Sequence, residues 1–178
     1  MTRQATVEEA TGKSLGAEVT VLPAKLDELG VVLEILEEAA RWNEFHGLTG
    51  WRPGSFQTDK IREQISRREV FLVRIGGQVV GTVTLQWSDP PFWGDRPPDA
   101  GYLHKLAVKR DFSGQRIGIS IIRWAENQAI TKGKEFLRLN CFADNTRLRR
   151  YYEVLGFELK GEILEPRGKA ALYERRLK

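Results

Sequence analysis

The chain has 178 residues, 41% of them hydrophobic, a length that suits one domain with a real core and is short for two. No apolar run approaches the roughly 20 residues a membrane span needs. A single cysteine, Cys141, and two histidines exclude an internal disulfide and a closed zinc site of the usual Cys/His type, while a net charge of +4 is too small and too dispersed to demand a polyanionic partner.

Residues 1–16 are polar and lack the basic start and apolar stretch of a secretory signal, so they are expected to form a flexible tail before a single domain over 17–178. With one unpaired cysteine, a reducing cytoplasm is the simplest setting. Glu18 to Leu22 alternates as a strand, and a helix is predicted from about Lys25 to Asn43 with Leu26, Leu29, Leu33, Leu36 and Ala40 as its apolar stripe. Trp42 to Ser55, with three glycines and a proline, reads as loop before a short helix from about Thr58 to Arg68.

Phe71 to Ile75 and Val79 to Trp87 form a predicted hairpin around Gly76-Gly77. Ser88 to Ala100 carries four prolines and is expected to be loop; Gly101 to Val108 alternates again as a strand. Ile117, Ile121, Ala125 and Ala129 predict a helix over 115–131, stopped by Gly133. A strand over Glu135 to Cys141, a helix over Asn145 to Leu155 and two strands, Phe157 to Gly161 and Ala170 to Leu177, complete the pattern. The order predicts an α/β (α+β) domain: a mixed, mostly antiparallel sheet of about seven strands flanked by about four helices. The stretches 115–131 and 145–155 are long enough to be crossovers joining neighbouring strands in parallel.

The most informative segment runs from Leu106-Ala107-Val108 through a polar turn to Gly114-Gln115-Arg116-Ile117-Gly118-Ile119-Ser120. A strand there opens into a helix whose first amides lack intrahelical partners, and the helix dipole favours negative charge at that end. A diphosphate suits the place. Missing side chains at Gly114 and Gly118 would let phosphate oxygens approach the backbone, although a turn and close packing would explain the same glycines.

Gln115-x-x-Gly118-x-Ser120 after Leu106-Ala107-Val108 resembles the Gln/Arg-x-x-Gly-x-Gly/Ala pyrophosphate loop of the GNAT acyltransferases, with Ser120 where glycine or alanine is usual. Asn145, Tyr152 and Gly156-Phe157 resemble the second motif of that family, Asn-x-x-Ala-x-x-x-Tyr-x-x-x-Gly-Phe, with Leu148 in place of the alanine. The resemblance implies acetyl-coenzyme A as acyl donor, coenzyme A as product, no metal, and transfer to a primary amine of a small molecule or peptide by direct attack on the thioester. It implies that Leu106, Ala107 and Val108 pair with the pantetheine arm, that the Val108 amide polarises the acetyl carbonyl, and that Gly114, Gln115, Arg116, Ile117, Gly118, Ile119 and Ser120 hold the diphosphate. Family matching selects Tyr152 as proton donor to the leaving thiolate, whereas periodicity leaves Tyr151 and Tyr152 open. Asn145 is a helix N-cap, a cofactor contact, or both; Asn140 is a further candidate for the pantetheine arm or the acceptor.

His104 is the first candidate base, with an ordinary pKa near the working range; alternation places it on one face with Tyr102 and Leu106. A structural role for a lone strand histidine remains the commoner case, and His46 and Glu44 are lesser candidates. Two aromatic groups, Trp42, Phe45 and Trp51 and then Trp87, Phe92 and Trp93, flank the first hairpin. They yield Trp42, Phe45, His46, Trp87 and Tyr102 as candidate acceptor-binding residues; with Glu44, Asp89, Asp95 and Asp99 they would suit an apolar or cationic amine, or else fill core or a homodimer interface. Two other classes compete: a non-catalytic coenzyme A sensor, and a nucleic-acid-binding module resting on Arg147, Arg149, Arg150, Arg175, Arg176 and Lys178, runs that read more simply as solvated faces.

Overall fold

The computed structural model describes residues 18–178; the expected tail over 1–16 lies outside them. β1 (Val19–Pro23) leads through a 3-10 turn, Leu26–Glu28, into α1 (Leu29–Phe45). The α1 stripe differs from the expected one: Val32, Ile35, Leu36 and Ala40 are buried, and Leu26 is 57% exposed. A 3-10 turn advances about 3.0 residues per turn rather than 3.6, so a phase extrapolated from Leu26 fails where α1 begins. α2 (Thr58–Ser66) turns Ile61 and Ile65 inward as expected.

β2 (Val70–Ile75) and β3 (Gln78–Gln86) form the predicted hairpin, with Gly76 and Gly77 both at positive φ, 56° and 82°. That conformation matches the turn's twist to the strands and is costly for other residues. The proline-rich stretch holds a short helix, α3 (Pro90–Trp93), where loop was expected. Prolines at the first helical positions lack only amides that have no helical acceptor anyway. β4 (Ala100–Val108) runs through a second 3-10 turn, Arg110–Phe112, to α4 (Ile117–Thr131), followed by β5 (Phe136–Phe142), α5 (Thr146–Val154), β6 (Glu158–Glu165) and β7 (Gly168–Arg176).

The seven strands form one sheet in the order β1-β2-β3-β4-β5-β7-β6. Only β4 and β5 pair in parallel, joined by α4. The second expected parallel crossover does not join neighbours, because β7 lies between β5 and β6 and pairs antiparallel with both. Ile117, Ile121, Ala125 and Ala129, the α4 stripe, are all buried; all but Ala129 join Leu103, Leu137 and Leu139 in one core cluster. α1 and α2 cover Val70, Leu72 and Ala107 in another.

A buried ion pair network closes the parallel junction. Arg138, 3% exposed, donates through Nε to Glu174 Oε2 at 2.7 Å, and through Nη1 to Asp99 Oδ1 at 2.8 Å and Tyr102 Oη at 2.9 Å. Tyr102 and Arg138 are paired in the parallel register, one step before the last pair, Leu103 and Leu139. Among the described residues no helix is long and apolar enough to cross a membrane.

Candidate active site

Beyond Leu103 and Leu139 the parallel strands part, and a cavity of about 1110 Å³ opens where they separate. Its walls are β4 from Leu103 to Val108, β5 from Asn140 to Phe142, the turn into α4, one face of α5, and the connection between α1 and α2.

β4 carries a bulge at the mouth. Between the pairs Thr82–Ala107 and Thr84–His104, β3 has Val83 alone while β4 has both Lys105 and Leu106. Lys105 takes a left-handed φ of 47°, as an extra residue in a ladder often requires. This overturns the expected alternation: Leu106 packs into the cluster around α4, whereas Ala107 joins the α1–α2 side. Below the bulge, Lys109 N donates to Val80 O at 2.8 Å, and Gly81 lies opposite Val108. Bonded and non-bonded pairs alternate along an antiparallel ladder. The Val108 amide therefore turns away from β3, towards the edge that β5 has left.

The turn into α4 presents free donors. Among the described residues no backbone carbonyl accepts from the amides of Gly114, Gln115, Arg116, Ile117 or Gly118; Ile119 is the next to bond, to Arg116 O at 3.0 Å. Arg116, at φ 60°, is the helix N-cap. A Cβ on Gly118 would lie 2.7 Å from the Tyr151 hydroxyl, so glycine is what lets that ring approach the helix. Arg110 stacks on Trp42 at 4.4 Å beside this turn.

Asn145 caps α5 by accepting from Leu148 N at 3.0 Å, and its Nδ2 donates to Thr49 O at 3.3 Å. It thereby ties α5 to the connection between α1 and α2. Asn140 lines the cavity with its Oδ1 buried and without a hydrogen-bond donor, an arrangement that costs free energy unless a ligand supplies one. Tyr152 is buried, and burial, followed by the neighbouring Cys141 and Tyr151, pushes its hydroxyl well above the ordinary tyrosine range. Among the described residues that hydroxyl has no hydrogen-bond partner, and the residue borders the cavity.

His104 borders the cavity, with Nε2 3.2 Å from Asp89 Oδ2 in an ion-pair rather than a hydrogen-bond geometry. Next to it, Lys105 Nζ donates to Gln64 Oε1 at 3.3 Å. Cys141 borders the same space; burial pushes its thiol up to about 11, against the opposing charge of Arg149. A thiol-specific reagent at neutral pH is expected to label Cys141 only slowly in the folded protein and at once after denaturation; complete labelling of the native chain within minutes contradicts this.

The cavity brings together His104, Leu106, Ala107, Val108, Gly114, Arg116, Ile117, Gly118, Ile119, Asn140, Asn145 and Tyr152, whereas Gln115 and Ser120 are not among its lining residues. Of the acceptor candidates only Trp42 borders it. Phe45 is 86% exposed, His46 stacks behind Trp42, Trp87 lies against Gly101 with Lys132 over its ring, and Tyr102 is held by Arg138. Trp51, Phe56 and Phe92 line the cavity together with Trp42, as do Phe112, Phe142, Tyr151 and Tyr152. Glu44, Asp89, Asp95 and Asp99 do not line it, Asp89 and Asp99 being turned to His104 and Arg138. In the basic runs, Arg149 pairs with Glu162 and Arg175 with Glu126. Sequence reasoning missed Lys60 and Lys105; a charge interrupting the apolar run Gly101 to Val108 was the available signal for Lys105. Among the described residues no group of three or more His, Cys, Asp or Glu side chains could hold a metal ion.

The mostly antiparallel seven-stranded sheet flanked by helices is the fold that the sequence resemblance implied. The chain belongs to the acetyltransferase (GNAT) family, whose model matches residues 33–157, and is an acyltransferase on that ground. It is 30% identical over 148 residues, 78% of this chain and 81% of the relative, to the uncharacterized N-acetyltransferase YesJ of Bacillus subtilis. A GNAT-family acetyltransferase of Listeria monocytogenes superposes with a TM-score of 0.77 at 28% identity, covering 93% of this chain and 98% of that one. YncA of Salmonella typhimurium, a putative acetyltransferase solved with its cofactor acetyl-CoA, shares the fold at 16% identity, with a TM-score of 0.67 over 91% of this chain and 95% of that one.

Proposed function

We propose that this chain moves the acetyl group of acetyl-coenzyme A to the primary amine of a small molecule or peptide, by direct attack on the thioester. The observation that carries this reading is the cavity at the strand split, whose lining holds unpaired backbone donors, an unpartnered Asn140 side-chain carbonyl and the buried Tyr152. The residues fit the donor: the amides of Gly114 to Gly118 suit a diphosphate, Asn140 Oδ1 suits an amide N–H of the pantetheine arm, and Leu106 to Val108 offer an open strand edge. Acetyl-coenzyme A supplies an acyl carbon activated by a thiol leaving group.

The Val108 amide donates to the acyl oxygen as negative charge gathers there. His104, held against Asp89, takes the proton released as the amine nitrogen bonds to carbon. Tyr152 gives its proton to the sulfur as the carbon–sulfur bond breaks, and solvent restores it.

Calorimetry with acetyl-coenzyme A, followed by thiol release against a panel of amines, tests the reading. Tight binding with acceptor-dependent release supports it, binding without release points to the sensor alternative, and no binding removes it. Gly118→Ala sharpens the test. Its methyl group must displace Tyr151, the movable end of a side chain, so stability is expected to change by less than about 1 kcal/mol. Acetyl-coenzyme A affinity is expected to fall roughly tenfold through loss of about one charge-assisted contact; unchanged affinity would show that the turn does not hold the diphosphate.

A further inference from the structure

Lys105 has no part in the chemistry derived so far, yet its placement is unusual. It is the left-handed residue of the β4 bulge, it follows the candidate base directly, and its side chain lines the cavity. A cation set into such a wall is normally matched by a carboxylate. Here its hydrogen-bond partner is the neutral amide oxygen of Gln64, at 3.3 Å. The nearby carboxylates are otherwise engaged: Asp89 faces His104, and Glu69 accepts from Gln86 Nε2 at 2.7 Å. Lys60, on the first turn of α2, borders the same space and adds a second positive charge. Glu165, the last residue of β6, is the only carboxylate among the described lining residues.

We propose that Lys105 and Lys60 receive a carboxylate carried by the acceptor, so that the amine acetylated at His104 belongs to an amino acid or a similar small amino-carboxylate. This deepens the acetyl-transfer reading and rests on it. The anion supplies the partner that the wall lacks, and two cations in the cavity lining disfavour acceptors with extra positive charge. Trp42, Trp51, Phe56 and Phe92 leave an apolar wall for the remainder of the molecule. Burial, then Lys60, lowers Lys105 to about 8, opposed by Asp89 and Glu69. An arriving carboxylate favours its charged form, so the pocket takes up a proton with its substrate near that pH.

The test uses matched acceptors: L-phenylalanine with phenylalaninamide and phenethylamine, and L-methionine with methioninamide. Thiol release is followed on the full chain, with acetyl-coenzyme A binding measured by calorimetry on the same sample. The expected result is a kcat/KM for the free carboxylates at least roughly tenfold above that for the amides, with the ratio declining above pH 8 as Lys105 loses its charge. Lys105→Met should bring the ratio close to one through KM, and Lys60→Gln, at an exposed position, should lower it partway. Comparable or better use of the amides or of phenethylamine overturns the proposal, as does equal loss for both members of a pair in Lys105→Met. Turnover of no carboxylate in the panel also overturns it; if acetyl-coenzyme A still binds, the acetyl-transfer reading survives, whereas loss of that binding sinks both.

Discussion

Replacing Tyr152 by phenylalanine is expected to lower kcat roughly a hundredfold, the low end of what a positioned proton donor contributes, while acetyl-coenzyme A affinity stays near its starting value. The hydroxyl is removed from a buried ring whose edges pack against Phe157 and Tyr173, and phenylalanine keeps those contacts. Tyr151→Phe is the control, because the Tyr151 hydroxyl sits against Gly118 on the helix rather than in the core around Cys141. Equal losses in the two variants would remove Tyr152 from the donor role. Burial holds the Tyr152 proton well above the ordinary tyrosine range of about 10. Its folded-state proton is thus in place throughout the neutral range, and the alkaline limb of kcat should not move when Tyr152 is the residue replaced.

Arg138→Ala is expected to cost roughly 3 kcal/mol of stability, because it leaves the largely buried Asp99 without its cationic partner and Glu174 with only Lys160, at 3.4 Å. For a domain of this size that corresponds to a fall in Tm of about 6–12 °C. The loss falls on the junction where β4 and β5 last pair, so the cavity mouth just beyond it should loosen as well. A thermal melt within about 1 °C of the parent, well below that shift, would show the network to be dispensable. Arg138→Met, which keeps apolar volume but not the charge, is expected to remain destabilised, since the penalty lies in the stranded carboxylates.

These two positions also show how far residue patterns reach. The helix that carries Tyr152 was legible from Asn145 at its start and Gly156 at its end, and both caps are present, Gly156 at φ 83°, whereas the choice of Tyr152 over Tyr151 came from the family resemblance alone. α4 was legible for a related reason, since one face is buried along its whole length. Arg138 was invisible: a lone arginine in a predicted strand reads as a solvent-facing charge, and its partners Asp99, Tyr102 and Glu174 lie 36 or more residues away. Tyr102 was assigned to the acceptor side because nothing in its own strand reports Arg138. The aromatic residues divided in the same way. Trp42 and Phe45 are three residues apart on α1, and only the fold decides that one lines the cavity and the other faces solvent.

The bulge in β4 gave no sequence signal, since its left-handed residue is a lysine rather than a glycine. Its effect is a change of phase within a single strand. Residues up to His104 follow one alternation and residues from Leu106 onward follow the other, so the strand's two halves are independently addressed. The direction of the Val108 amide is therefore set by the ladder beyond the bulge and not by the phase that places the side chains at 104 and 105. Deleting Lys105 would thus remove the bulge without reversing any face: Leu106 would follow His104 directly, still towards α4, and Ala107 would stay towards α1, in one regular ladder opposite Val83.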